Sequence, residues 1–126
     1  MKSSTDPQTK RLVATIEKMK WWDACDSWGK ASRAHKDIKR AELLRAFLTS
    51  DNTLTGFDMG HAGDRSVAIG MTECGVWAAL GKPTSVNQTE TASGSSAQYV
   101  YREKNVYVYV HQVSRSNNRV VRSIQH

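Results

Sequence analysis

The sequence predicts an α+β fold, with N-terminal helices packed on one face of a three- to four-stranded antiparallel meander and a short helix at about 73–80. Three observations carry this. The apolar residues recur every three or four positions up to residue 49, and every second position from Ser85 onward. Four strand candidates follow one another through short connections, which suits antiparallel rather than parallel pairing. The chain has 126 residues, 39% apolar and 24% charged, enough for one globular domain. Helices first and strands after place the helices together against one sheet face.

Asp6-Pro7 opens the helical half, a capping acid followed by proline at the first helical position. Leu12, Ile16, Met19, Trp22, Cys25 and Trp28 form one apolar stripe, and Gly29 weakens or ends that helix. A second stripe runs through Ala34, Ile38, Ala41, Leu44 and Leu48, flanked by Leu43 and Phe47. Residues 7–49 therefore read as two helices, or as one long helix broken near Gly29. Thr49-Ser50-Asp51-Asn52 is a stop, and 51–65 reads as a glycine-rich loop with room for a short helical turn. Residues 66–70 suit a short extended segment. Thr72 then caps a helix with Val76, Trp77 and Leu80 on its apolar face; Gly81 terminates it and Pro83 prevents continuation. The strand candidates are 86–91, 98–102, 106–111 and 119–125, with a flexible loop at 92–96, a tight connection at 103–105 and a turn at 114–118.

The net charge is +6, and it is unevenly placed. Residues 1–45 hold eleven Lys/Arg against six Asp/Glu, a net +5; residues 46–126 hold seven against six, a net +1. Lys30, Arg33, Lys36, Lys39 and Arg40 lie close together in sequence and form either a nucleic-acid footprint or a solvated helical face tempered by Asp37 and Glu42. The two cysteines, Cys25 and Cys74, match no zinc spacing. In a reducing compartment they are small buried hydrophobes. In an oxidising one they permit a disulfide that closes a loop of roughly 50 residues, worth about 3–4 kcal/mol by the chain-entropy argument.

All four tyrosines fall in the central hairpin, Tyr99, Tyr101, Tyr107 and Tyr109, alternating with valines. A loop of Glu103-Lys104 pairs Tyr101 with Val106 and mixes the two residue types on each face. A three-residue loop, 103–105, pairs Tyr101 with Tyr107 and Tyr99 with Tyr109, giving an outward tyrosine wall and an inward valine wall. Such a wall suits protein binding, since tyrosine offers rigid contact area at low entropic cost; stacking of nucleic-acid bases is the other use of an aromatic sheet face. Trp22 and Trp28 lie on the first apolar stripe. Trp21 lies off it, and beside Lys18 and Lys20 it suggests a contact site or a homodimer interface.

Catalytic signatures are sparse. Asp58-x-x-His61-x-x-Asp64 has metal-ligand types within a glycine-rich segment, the basis for a third reading as a metal-dependent hydrolase. His35, His111 and His126 are scattered, and no phosphate loop, G-x-S-x-G or H-E-x-x-H occurs. The expectation is a non-enzyme with no cofactor and no metal.

Val67-Ala68-Ile69-Gly70-Met71-Thr72, then Leu80-Gly81-Lys82-Pro83, then Gln98-Tyr99-Val100-Tyr101, then Val120-Val121-Arg122-Ser123-Ile124 resemble the pattern of the SmpA/OmlA outer-membrane lipoproteins. Phe47-Leu48-Thr49-x-Asp51 resembles the entry to that pattern. The layout is shared with the repeats of β-lactamase-inhibitor proteins. The resemblance covers about residues 47–125, with Gly70, Met71, Thr72, Leu80, Gly81 and Pro83 as its structural motif, and leaves 1–46 as a basic helical extension of a single domain. It implies a small bacterial envelope protein, periplasmic if a signal peptide has been removed and otherwise cytoplasmic, acting by contact with a protein partner through the hairpin or the helical extension. Nucleic-acid or acidic-surface binding by the basic half is the alternative. No lipobox cysteine is present, so membrane association would come only through a partner or a removed anchor.

Overall fold

The computed structural model describes residues 7–35, 37–92, 94–112 and 119–126. Five helices precede four strands: α1 Pro7–Lys18, α2 Trp21–Ala34, α3 Ile38–Thr49, α4 Gly56–Gly63, α5 Glu73–Leu80, β1 Ser85–Thr91, β2 Gly94–Tyr101, β3 Val106–Gln112 and β4 Arg119–Gln125. The strands form one antiparallel sheet in the order β1-β2-β3-β4, the expected meander.

The helical half divides differently from the expectation. The chain breaks at Met19-Lys20 and again at His35–Asp37, while Gly29 lies inside α2. No glycine, proline or capping side chain marks the first break; Lys20 is extended and its side chain makes no cap bond. The second is written more plainly. His35 ends α2 in the left-handed region (φ 56°) with its N–H on the Ala31 carbonyl, and the Asp37 carboxylate caps α3 at the Arg40 N–H. The Asp6 cap expected for α1, the turn at 114–118, Lys36 and Ser93 lie outside the described residues. Ala34 and Ile38, placed on an apolar stripe above, are exposed, whereas Leu44 and Leu48 are buried.

Gly29 is used for closeness rather than for ending a helix. A Cβ there would lie 2.1 Å from the Ala78 carbonyl oxygen, so α2 and α5 touch backbone to backbone. One turn earlier on both helices, Cys25 and Cys74 are joined by a disulfide with Cα atoms 5.3 Å apart. One turn later on α2, the Arg33 guanidinium donates to the Ala78 carbonyl at 2.7 Å and to Ala62 at 3.3 Å. The i, i+4 row 25, 29, 33 is therefore the seam along which α2 meets α5. The helical half is thus part of the same core as the sheet, which also takes in Ile16, Trp28, Leu44, Leu48, Val76, Val108 and Val121.

The segment read as a loop at 51–65 contains α4, and a single carboxylate organises it. Asp58, fully buried, accepts from the Thr55 N–H at 2.9 Å while Thr55 Oγ1 accepts from the Asp58 N–H, a complete capping box. The same carboxylate takes the Thr72 N–H at 2.8 Å and the Thr72 hydroxyl at 2.6 Å, and Thr72 caps α5 through the Gly75 N–H. One negative charge thus serves two helix N-termini. Residues 66–69 form no strand; instead the Gly70 N–H bonds the Val121 carbonyl and the Val121 N–H bonds Met71, which ties the entry to α5 onto β4. Helix α5 starts and stops where expected, with Gly81 at φ +82° as its terminator. Gly94, Ser95 and Ser96, expected in a loop, extend β2.

Candidate functional site

The hairpin takes the mixed register. Tyr101 pairs with Val106, Tyr99 with Val108 and Val100 with Tyr107, around a 3₁₀ turn (Arg102–Lys104) closed by Asn105 at φ 55°. Asparagine tolerates the left-handed region, so it can close this turn. The outward tyrosine wall is therefore not formed. Tyr99 and Tyr101 point at the helices and are 2% and 4% exposed, on the same face as Ala97, Val108 and Val110. Tyr107 and Tyr109 point outward and are half-buried.

The inward pair is bonded into the core. Tyr101 donates to the Gly81 carbonyl at 2.8 Å. Tyr99 donates to the Glu73 carboxylate and accepts from the Trp77 indole N–H at 3.4 Å. Burial, reinforced by the neighbouring Glu73 charge, raises the Tyr99 phenol well above its ordinary range; burial does the same at Tyr101. Glu73 also takes a two-point salt bridge from Arg119, whose third nitrogen reaches Gln88 at 3.0 Å. The Arg119 charge is held more firmly by this bond to Glu73 than its partial burial opposes.

Above this group lies a cleft of about 370 Å³ between the start of α2, the Thr53 turn, the start of α5 and the polar end of the inner sheet face. Trp21 stands at its edge, 38% exposed. Edge-to-face contacts link Trp22 to Trp21, Trp21 to Trp77 and Trp77 to Tyr99, with ring centres 5.6, 6.5 and 6.3 Å apart. Lys20 sits 5.7 Å from the Trp22 ring centre.

The outer sheet face carries a second polar array. Asn87 donates to Gln98 at 2.9 Å, Gln98 donates to the Tyr109 hydroxyl at 2.9 Å, and that hydroxyl donates to Gln125 at 3.4 Å, one side chain from each strand. These flank a shallow hollow of about 560 Å³ whose lining includes His111 and Arg122 and, among the described residues, no carboxylate. The register shifts at Tyr109/Val110 and leaves Arg122 as the extra residue on β4, a bulge that turns its side chain toward the hollow.

The remaining sequence candidates scatter. Of the five basic residues, Lys30 pairs with Asp26 at 3.1 Å, and Arg33 turns inward as a helix C-terminal cap. Burial and the nearby Arg65 lower the Arg33 pKa, with Asp26 opposing them. Lys39 is exposed and Arg40 half-buried on α3. Asp58, His61 and Asp64 do not converge: Asp58 is committed to Thr55 and Thr72, His61 Nδ1 meets the Ser66 hydroxyl at 3.0 Å, and Asp64 ends α4. Among the described residues, no three His, Cys, Asp or Glu side chains are grouped to hold a metal ion.

Glu73 and Arg119 were not singled out from the sequence. They stand 46 positions apart, and each reads locally as an ordinary helix-start acid or strand-start base. Asp58 carried a readable signal, the Thr55-x-x-Asp58 capping spacing, which outranks its use as a ligand. No family model, curated protein or solved structure matches this chain.

Proposed function

We propose that this protein is a non-enzymatic, disulfide-stapled interaction module of an oxidising compartment, the bacterial cell envelope, and that it binds a protein partner through the outer face of the sheet. One observation carries the reading: the Asn87–Gln98–Tyr109–Gln125 ladder holds donors, acceptors and an aromatic ring in fixed positions beside a hollow that contains Arg122 and His111 but no acid. Preorganised polar side chains around a tyrosine lower the entropic cost of binding, and the lining favours an acidic polypeptide segment. The buried Cys25–Cys74 bond supports the compartment, because such bonds persist where thiols are not kept reduced. The nucleic-acid alternative loses support because Arg33 is spent inside the fold and Lys30 is paired.

Site-specific photo-crosslinking in cells tests this. A benzoylphenylalanine in place of Ser123, which lines the hollow outside the ladder, is expected to trap a discrete protein adduct that Arg122→Glu suppresses. The same probe in place of Lys30, on the helical layer, is expected to give none. Equal labelling from both positions, or an adduct indifferent to Arg122→Glu, would overturn the reading.

A further inference from the structure

We propose that the cleft beside Trp21 is a second binding site, independent of the outer sheet face, and that it takes a neutral saccharide of one or two rings. Its charge argues first. Among the described residues, the cleft is lined by one acid and one base, Glu73 and Arg119, and they are bonded to each other at two points. An anion would meet a carboxylate already beside the arginine, and a cation would meet the reverse, so neither gains net attraction. This separates the cleft from the hollow on the outer face, where Arg122 and His111 stand without an acid.

The lining chemistry argues second. Beside the ion pair stand Thr53, Ser95 and Gln112, with Ser95 donating to Gln112 at 3.3 Å. A carboxylate accepts, a guanidinium donates, and hydroxyls and amides do both. That mixture matches adjacent sugar hydroxyls, each of which is donor and acceptor at once. Trp21 supplies the complementary apolar element. Its ring meets those of Trp22 and Trp77 at near-right angles, contacts that restrict its rotation before any ligand arrives. A pyranose offers a flat C–H face to such a ring and a rim of hydroxyls to the polar wall. The volume, about 370 Å³, lies at the small end of ligand pockets and suits one or two such rings. The walls are stiff: Cys74 of the disulfide lines the cleft, and Glu73 is 8% exposed within the Tyr99 network.

The test is a titration of the isotope-labelled protein with N,N′-diacetylchitobiose, cellobiose and maltose, each to about 50 mM, a range that captures Kd values near 1 mM. Inorganic phosphate serves as the anionic comparison. At least one disaccharide is expected to shift the Trp21 indole and Gln112 amide signals saturably, with phosphate shifting neither. Trp21→Ala is expected to weaken binding at least tenfold and Gln112→Ala several-fold, while Tyr109→Ala on the opposite face leaves it unchanged. Gln112→Ala lies at the rim and carries the same test should Trp21→Ala disturb folding. No saturable shift with any of the three sugars, binding of phosphate as tight as that of a sugar, or an unchanged affinity in both cleft variants would each overturn the proposal.

Discussion

Replacing Gly29 by alanine tests the α2–α5 seam. The new Cβ would stand 2.1 Å from the Ala78 carbonyl oxygen and 2.8 and 2.9 Å from its carbonyl carbon and Cα. None of these is the end of a flexible side chain, so the helices themselves must separate, by about 1 Å or more to reach ordinary contact. A gap of that size forfeits a quarter to a half of the dispersion attraction along the seam, and over-packing of this kind costs about 1–3 kcal/mol or more. The Cys25–Cys74 bond one turn away resists the separation, which argues for the upper end. Alanine's better helix propensity returns about 1 kcal/mol. The net expectation is a loss of about 2 kcal/mol, or a fall in Tm of about 8 °C at roughly 4 °C per kcal/mol for a chain of this length. Urea and thermal unfolding measure it, with Gly60→Ala as the control of opposite sign. Gly60 lies exposed inside α4 with nothing within 4 Å of its added Cβ, so that variant is expected to be unchanged or up to about 1 kcal/mol more stable. A Gly29→Ala protein within about 0.5 kcal/mol of the parent would refute the close backbone contact.

Three further outcomes are expected. Removing the disulfide as Cys25→Ala with Cys74→Ala should cost about 4 kcal/mol for a separation of 49 residues, read as a lower urea midpoint that reductant no longer alters. Glu73→Met should cost about 3–5 kcal/mol by leaving Arg119 buried without its partner, and Glu73→Met combined with Arg119→Met should cost less than that single change, as a double-mutant cycle with Arg119→Met would show. Stability should also fall in alkali. Tyr99 and Tyr101 have folded pKa values above their unfolded value, so their contribution is complete below about pH 10 and is lost as pH rises beyond it. The slope approaches about 1.4 kcal/mol per pH unit for each phenol; Tyr101→Phe should remove about half of it, and an unchanged slope would contradict the burial of that hydroxyl.

Particular residues show where the sequence was legible. Helix α5 could be placed at about 73–80 because Thr72, Gly81 and Pro83 act on the backbone within a few positions of themselves. The change of period at Ser85 announced the sheet for the same reason: side-chain direction along a strand is local. Gly29 misled, since a glycine that ends a helix and one that admits a neighbouring helix look alike until the neighbour is in place. The break at Lys20 left no trace because no side chain caps it. Asp58 reads as a metal-ligand type in the third alternative, although Thr55 three positions earlier already offers it a capping partner.

The candidate surfaces depended on register. One residue more or less in the 102–105 turn exchanges the two faces of β3 relative to β2, and Asn105 in the left-handed region suits the arrangement that buries Tyr99 and Tyr101 and turns Tyr107 and Tyr109 outward. By itself, then, the sequence determined the α+β class, the meander, the short capped helix and the two cysteines available for pairing, because period, caps and composition act over a few residues. Only the tertiary structure decided that Cys25 meets Cys74, that Glu73, Tyr99 and Arg119 share one buried site, and which tyrosines face water. The disulfide and the buried site depend on contacts between positions 26 to 49 residues apart, about which local chemistry carries no information until the helices and sheet are packed; the tyrosine faces depend on the register that the 102–105 turn sets.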